Sequence, residues 1–77
     1  MITPGIYRHY KGGLYRVLFD AHDSTNGPRE GTSLVVYVSL TTGRINARAV
    51  SQFVESVNVV GYEPTPRFEF VSAETVP

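Results

Sequence analysis

The sequence contains no cysteine and no tryptophan, and it has a single methionine. Without cysteine the chain can form neither a disulfide nor a cysteine-ligated metal site. A chain of 77 residues buries only about 60–65% of its unfolded surface, so its core has little stability in reserve. We therefore expect a closed small barrel or self-association to supply the rest. The lack of cysteine also fits a cytoplasmic protein.

An excess of charge and a long apolar run are missing as well. Seven Lys and Arg balance seven Asp and Glu, whereas nonspecific nucleic-acid binding depends on a large positive excess. No apolar run approaches the roughly 18–20 residues that span a membrane, and the first five residues do not resemble a signal peptide. We expect a cytoplasmic protein with no membrane association. It forms one domain over residues 1–77, ordered at about 5–71 and frayed at 72–77.

Short β-branched and aromatic runs separated by turn residues dominate the chain, and helical periodicity is almost absent. This pattern predicts an all-β fold, a small SH3-like barrel of five to six short antiparallel strands. One helical turn is predicted at 51–55, with Ser51 as its cap and Phe53 directed into the barrel. The predicted strands are 5–11, 14–22, 33–41, 44–50, 56–60 and 66–71.

The first predicted hairpin turns at Gly12 and Gly13. A two-residue glycine loop favours the primed turns and sets His9 opposite Arg16. A three-residue loop would set Arg8 against Arg16, a like-charge pair that costs stability, so we prefer the first register. It predicts a core face with Ile6, Tyr10, Tyr15, Val17 and Phe19. It predicts an outward face with Tyr7, His9, Lys11 and Arg16.

The second predicted hairpin turns at Thr42 and Gly43. With those two residues as the loop, Tyr37 lies opposite Arg48, and the two can stack for about 0.5–1 kcal/mol at an exposed site. The reverse face is apolar and is predicted to join the core through the pairs Leu40–Ile45 and Val38–Ala47. Both hairpins thus predict an outward surface of aromatic and basic side chains.

Catalytic and metal chemistry find little support in the sequence. His9 and His22 are too few for a metal site, which needs three or four converging ligands. Ser24 and Thr25 lie near His22, but neighbours along a strand point to opposite faces and do not build a triad. We interpret the residues around His22 as a loop-capping cluster, and we expect neither enzymatic activity nor a cofactor.

The opening residues Gly5-Ile6-Tyr7-Arg8-His9-Tyr10-Lys11-Gly12 also carry a family resemblance. The chain resembles a bacterial and phage family of small domains of unknown function that open with G-x-Y-x-H-Y-K-G-x-x-Y-x-V. Later parts of the pattern are an L-V-V-Y strand at 34–37, a strand ending in Arg48, a Phe-x-Glu turn at 53–55, and P-R-F at 66–68. The resemblance implies a small β domain with no established activity.

Two positions depart from that family pattern. The aromatic residue expected before the Arg-ending strand is missing, since Ile45-Asn46-Ala47 precedes Arg48, and Ala49 replaces a frequent proline. These departures weaken any site that would use the missing ring. Some phage proteins of this size sequester host nucleotide signals, and that analogy adds one hypothesis about function.

Three functions remain open. The favoured one is non-catalytic binding of a small anionic ligand, with a nucleotide as the first candidate. The second is an SH3-type module for an extended or proline-rich peptide, and the third is single-stranded nucleic-acid binding. Because one small barrel offers little concavity, we expect a homodimer with the site between subunits.

The predicted ligand contacts divide by chemistry, with Arg8 and Arg67 as secondary candidates. Arg67 has an alternative role, a salt bridge to Glu55, which we prefer for it. Ring contacts are assigned to Tyr7, His9 and Tyr37, and charge to Lys11, Arg16 and Arg48.

Overall fold

A computed structural model describes residues 2–73 of the chain. It contains seven strands and one short helix within that range. In chain order the elements are β1 (Gly5–His9), β2 (Leu14–His22), β3 (Ser33–Ser39), β4 (Ile45–Ala49), α1 (Val50–Phe53), β5 (Ser56–Val57), β6 (Thr65–Pro66) and β7 (Phe68–Ser72).

Five of the strands form one antiparallel sheet in the order β4-β3-β2-β1-β7, and β5 pairs with β6 in a separate two-stranded sheet. The prediction of an all-β fold with short antiparallel strands and one helical turn is confirmed. Within residues 2–73 the five-stranded sheet ends at β4 on one side and at β7 on the other, and these two edges do not pair with each other.

One face of this sheet, which we call the inner face, carries the core. The buried apolar cluster combines inward residues of four strands with Phe53 of α1, which is 2% exposed. The Phe53 ring stacks on Phe68 with centroids 4.2 Å apart, and its edge meets Tyr7 and Tyr37 at 5.3 and 5.5 Å. The strands contribute Tyr7, Val17, Val35, Tyr37 and Phe68 to this cluster.

The opposite face, which we call the outer face, carries much of the apolar set that the sequence assigned to the core. Ile45 is 64% exposed, Phe19 is 60% exposed, and Leu40 is also exposed. The predicted core membership of these residues is wrong. Both faces of the sheet are rich in apolar groups, and the rings of Tyr7, Tyr37 and Phe68 occupy the buried one because each ring removes a large apolar surface from water.

The first hairpin has a different register from the predicted one. Tyr7 lies opposite Tyr15, and Arg8 lies opposite Leu14. The loop is Tyr10-Lys11-Gly12, closed by the His9 amide donating to the Gly13 carbonyl at 3.1 Å. Gly12 is the last loop residue, with φ +95°, which is the position where three-residue hairpin loops need a left-handed residue.

This register overturns the predicted faces of β1 and β2. The two-residue loop paired Tyr10 with Tyr15, which differs from the observed pairing by three positions. An odd shift exchanges the faces of one strand relative to the other. Tyr7 therefore points into the core, while Arg16 lies on the outer face, away from Tyr37.

The second hairpin departs from prediction by an even shift. Tyr37 lies opposite Asn46, two positions from the predicted partner Arg48. The loop has four residues, 40–43, because the Ser39 amide donates to the Arg44 carbonyl at 3.0 Å. An even shift keeps every side chain on its face, so Tyr37 and Arg48 share a face as predicted.

The helical turn and the tail also differ in detail. Ala49 precedes α1 as its N-cap, with no side-chain hydrogen bond, so the prediction that Ser51 caps the turn is wrong. The prediction that Phe53 enters the core is confirmed. Ser72 is the last residue of β7 rather than part of a frayed tail, and residues 74–77 of the predicted tail lie outside the described residues.

Replacing Phe53 with alanine should destabilise the fold by about 3–5 kcal/mol, because it leaves a cavity where the rings of three strands meet. Chemical unfolding in urea measures this change. Val54→Ala, at the exposed neighbouring position, is the matched control and should change the free energy of unfolding by less than about 0.5 kcal/mol. Equal losses for both variants would contradict the assignment of Phe53 as the centre of the core.

Candidate basic and aromatic binding site

Four basic side chains lie at one border of the inner face, and we call them the basic rim: His9, Lys11, Arg48 and Arg67. His9 ends β1, and Lys11 occupies the loop that follows it. Arg48 comes from β4, while Arg67 lies between β6 and β7. The rim therefore joins parts of the chain that are far apart in sequence, and the observed registers bring them together.

Arg48 lies across the aromatic core at the rim. Its Nε donates to the Tyr37 hydroxyl at 3.3 Å, and its guanidinium carbon lies 5.9 Å from the centre of the Phe68 ring. The stem of the side chain thus covers ring surface, as long basic side chains commonly do. Arg48 forms no ion pair within residues 2–73, so its charge is free to meet an external anion.

Arg67 is held by hydrogen bonds to α1 and to the segment that follows it. One terminal nitrogen donates to the Glu55 carboxylate at 2.8 Å, and its Nε donates to the Gln52 carbonyl at 3.2 Å. The preferred prediction of a salt bridge to Glu55 is confirmed. Glu55 is the only carboxylate that forms an ion pair with the rim in the part of the chain that is described.

His9 is the most constrained member of the rim. Its ring meets Phe68 edge-on at 4.9 Å and lies 4.7 Å from the Tyr10 ring. The backbone amide of Lys11 donates to its Nδ1 at 3.1 Å, which assigns the proton of the neutral ring to Nε2. Nε2 is then a donor for a ligand oxygen.

The pKa of His9 is lowered from its ordinary value, first by partial burial and then by the positive charges of Arg48, Arg67 and Lys11. All three charged members of the rim therefore act on the same imidazole. This shared effect is electrostatic evidence that their positive potentials overlap at one place.

Two surfaces beside the rim offer ring contacts and space. The Lys11 ammonium lies 5.8 Å from the centre of the half-buried Tyr10 ring. A cleft of about 290 Å³ opens next to His9, near the lower limit of roughly 300 Å³ for small-molecule sites. Its lining residues are Arg8, His9, Tyr10, Gly12, Thr65, Pro66 and Glu69.

The structure divides the predicted site residues between three environments. His9, Lys11, Arg48 and Arg67 form the rim, and the Tyr37 hydroxyl supports Arg48 from below. Tyr37 and Tyr7 are buried at 4% and 7% exposure, and Arg8 and Arg16 belong to the outer face by the observed register. The prediction that all these side chains share one outward surface is wrong.

Each misplaced residue has a physical reason. The Tyr7 hydroxyl donates to the Thr3 carbonyl at 2.7 Å, which satisfies its polar group and permits burial of the ring; burial raises the Tyr7 pKa. Arg8 lies 3.9 Å from the Glu69 carboxylate across β1 and β7. Arg16 lies between Ile6 and Val38 of the neighbouring strands.

The sequence reasoning missed the role of Tyr10 and Phe68. Tyr10 was assigned to the core, but it lies in the loop beside the rim. Phe68 was named there only as part of a family motif, whereas it is buried and contacts His9 and Arg48. The position of Gly12 could have indicated the place of Tyr10. A three-residue hairpin loop needs one glycine at its last position, and such a loop ending at Gly12 is centred on Lys11 and begins at Tyr10.

No group of three or more metal-ligating side chains occurs among residues 2–73.

Near His22, the Thr25 amide donates to the Asp23 carboxylate at 2.9 Å, and this bond is the first cause of a lowered Asp23 pKa. The interpretation of this segment as a loop-capping cluster is confirmed in that bond. No helix within the described range is long and apolar enough to span a membrane.

Comparisons with known proteins agree with the fold. The model of a protein family of unknown function, DUF1653, matches residues 5–70. The chain belongs to the DUF1653 family. A crystal structure of a DUF1653 protein from Bordetella bronchiseptica superposes with a TM-score of 0.80 at 32% identity, covering 99% of this chain and 95% of that one. No match was found among curated proteins.

The electrostatics of the rim predict an unusual titration of His9. Because burial and three cations lower its pKa, His9 should take up a proton at a lower pH in the folded chain than in the chain unfolded in urea, as followed by NMR of the ring protons. Folding then disfavours the charged form, so this contribution to stability is present above the unfolded pKa and is lost as pH falls from that value through the lower folded pKa.

Arg48→Gln should move the His9 titration to higher pH, because it removes one of the positive charges. Arg44→Gln is the matched control, since Arg44 is exposed directly after the second hairpin loop and is not among the charges that act on His9. An unchanged His9 titration in Arg48→Gln would show that the charges do not converge there.

Proposed function

We propose that this domain is a non-catalytic binding module for a small anionic ligand, and that the ligand contacts the basic rim. The observation that carries the proposal is the arrangement of three cations around His9. Arg48 lies over the Phe68 ring that His9 also contacts. The Lys11 amide donates to the His9 Nδ1, and the Arg67 carbonyl accepts from the amide of Tyr10, the next residue after His9. Glu55 offsets one of these charges, so the rim keeps a positive excess although the chain has none. An anion would relieve the mutual repulsion of these groups.

The chemistry of the rim favours a phosphate-bearing ligand. Arginine presents planar donors suited to phosphate oxygens, and Arg48 has no competing carboxylate within the described residues. The ring of Tyr10 and the Nε2 donor of His9 lie beside these charges and can meet a base or a ribose. A nucleotide is therefore the first candidate, and binding without turnover would sequester it.

The peptide and nucleic-acid alternatives receive less support. A proline-rich peptide needs a groove of exposed rings, whereas Tyr37 and Phe68 are buried beneath Arg48. Single-stranded nucleic acid needs a longer basic track with several stacking rings. The rim instead concentrates its charge at one place, which suits a compact anion.

A thermal-shift screen with nucleoside mono-, di- and triphosphates and cyclic nucleotides tests the proposal. A ligand at about 100 times its dissociation constant should add roughly 2.7 kcal/mol, or roughly 10 °C or more for a domain of this size. The unphosphorylated nucleosides are the control and should give no shift. Stabilisation by none of the phosphorylated compounds would reject the nucleotide assignment.

Loss of a rim charge should weaken binding of a nucleotide found in that screen. We expect Arg48→Gln and Lys11→Gln each to reduce affinity about 10- to 100-fold, the effect of losing one charge-assisted hydrogen bond, as measured by calorimetry. Arg44→Gln removes the same charge away from the rim and should leave affinity within about twofold. Equal loss in all three variants would indicate a nonspecific charge effect. Affinity that grows with strand length and falls steeply with salt would favour nucleic acid instead.

A further inference from the structure

The outer face of the sheet is apolar across four strands. Ile6, Arg16, Val38 and Ile45 lie side by side in one row, from β1 to β4. Phe19, Val36 and Ala47 form the next row. Antiparallel sheets commonly turn one face to water, but that face is then polar. Here the two rows contain one charged residue, Arg16, while Arg8 and Glu69 lie in the row beyond them.

Arg16 is itself poorly solvated. Its side chain is half-buried, and its Nε is removed from solvent without any hydrogen-bond partner in the described chain. A buried donor without an acceptor costs about 1–3 kcal/mol. Covering the half-buried Arg16 side chain further would cost more free energy unless the occupant of the outer face brings a carbonyl or carboxylate oxygen to the guanidinium.

Ile45 and Phe19 are 64% and 60% exposed, so the outer face is not covered, and the dimensions of the molecule agree with this. The chain measures 39 × 37 × 22 Å, and its radius of gyration is 13.3 Å, compared with about 11.5 Å for a compact domain of this length. Its accessible surface is 5522 Å², whereas a monomer of this mass exposes about 4,700 Å². The excess is of the order of the roughly 800 Å² that each partner buries in a standard interface.

We propose that a second copy of this chain covers the outer face, forming a two-fold symmetric dimer sheet against sheet. Each copy offers the same uncovered face, which is the requirement for a self-complementary contact. Apolar sheet faces pack at a separation of about 10 Å. The face also holds charges of both signs, since Arg8 and Arg16 share it with Glu69 by the observed register.

The charges on the face support a second copy over an apolar ligand or a lipid surface. Glu69 is largely exposed and only 3.9 Å from Arg8, so its carboxylate remains accessible to a partner. A second copy thus supplies both apolar rows and acceptor oxygens, whereas hydrocarbon supplies no acceptor for the Arg16 guanidinium. This inference does not rest on the proposed ligand, because the basic rim lies on the inner face.

Sedimentation of the purified chain from about 1 µM to about 1 mM tests the dimer. The wild-type mass should rise from 8.5 kDa toward twice that value. Ile45→Lys places a charge in the first row and should weaken association about 30-fold or more, the size of an interface hot spot. Because Ile45 is already 64% exposed in one copy, the variant should keep its fold by circular dichroism.

Val60→Lys is the matched control, since Val60 is 99% exposed in the loop between β5 and β6 and lies off the outer face. It adds the same charge and should associate as the wild type does. Phe19→Lys in the second row provides an independent variant should Ile45→Lys lose its fold. A wild type that stays at 8.5 kDa up to the highest concentration overturns the proposal. Association of both outer-face variants at wild-type strength, or equal weakening by Val60→Lys, overturns it as well.

Discussion

Burial of aromatic rings on a single face of the sheet is the constraint on which the rest of the structure depends. Tyr7, Tyr37, Phe53 and Phe68 come from four separate elements and meet within 5.5 Å of one another in the pairs that touch. Each ring buries a large apolar area, and a domain this short has few other sources of stability. The strand registers therefore follow from bringing these rings together rather than from the shortest loop available.

The accuracy of the sequence-based predictions follows from that constraint. Alternation predicted the strands and the contact between Tyr37 and Arg48, because a register error of two positions leaves both on the same face. The predicted register of the first hairpin was wrong by three positions. It placed Arg16 on the same face as Tyr37, whereas the observed register places them on opposite faces. The position of glycine in each loop determines the register of the hairpin. Gly12 and Gly43 are the last residues of their loops and have left-handed conformations, whereas the predicted two-residue turns placed them among the central turn residues.

The assignment of core and surface could not be obtained from alternation alone. Both faces of β3 are apolar, with Val35 and Tyr37 on one and Val36 and Val38 on the other, so hydrophobic pattern does not distinguish them. Tyrosine appears polar in such a pattern, yet the hydroxyls of Tyr7 and Tyr37 each find a partner and allow the rings to be buried. Contacts with Phe53 and Phe68, which are distant in sequence, determine which face of β3 is buried. Such contacts cannot be read from a single sequence.

The basic rim is a direct result of placing rings inside. Arg48 and His9 follow the inward alternation of their strands, so they belong to the aromatic face but lie at its border, where their charged groups still reach water. Among the described residues Glu55 is the carboxylate that forms an ion pair with the rim, and it does so through Arg67. A positive site can thus exist on a chain with no net charge, because the same packing that sets the registers also separates the cations from most of the carboxylates.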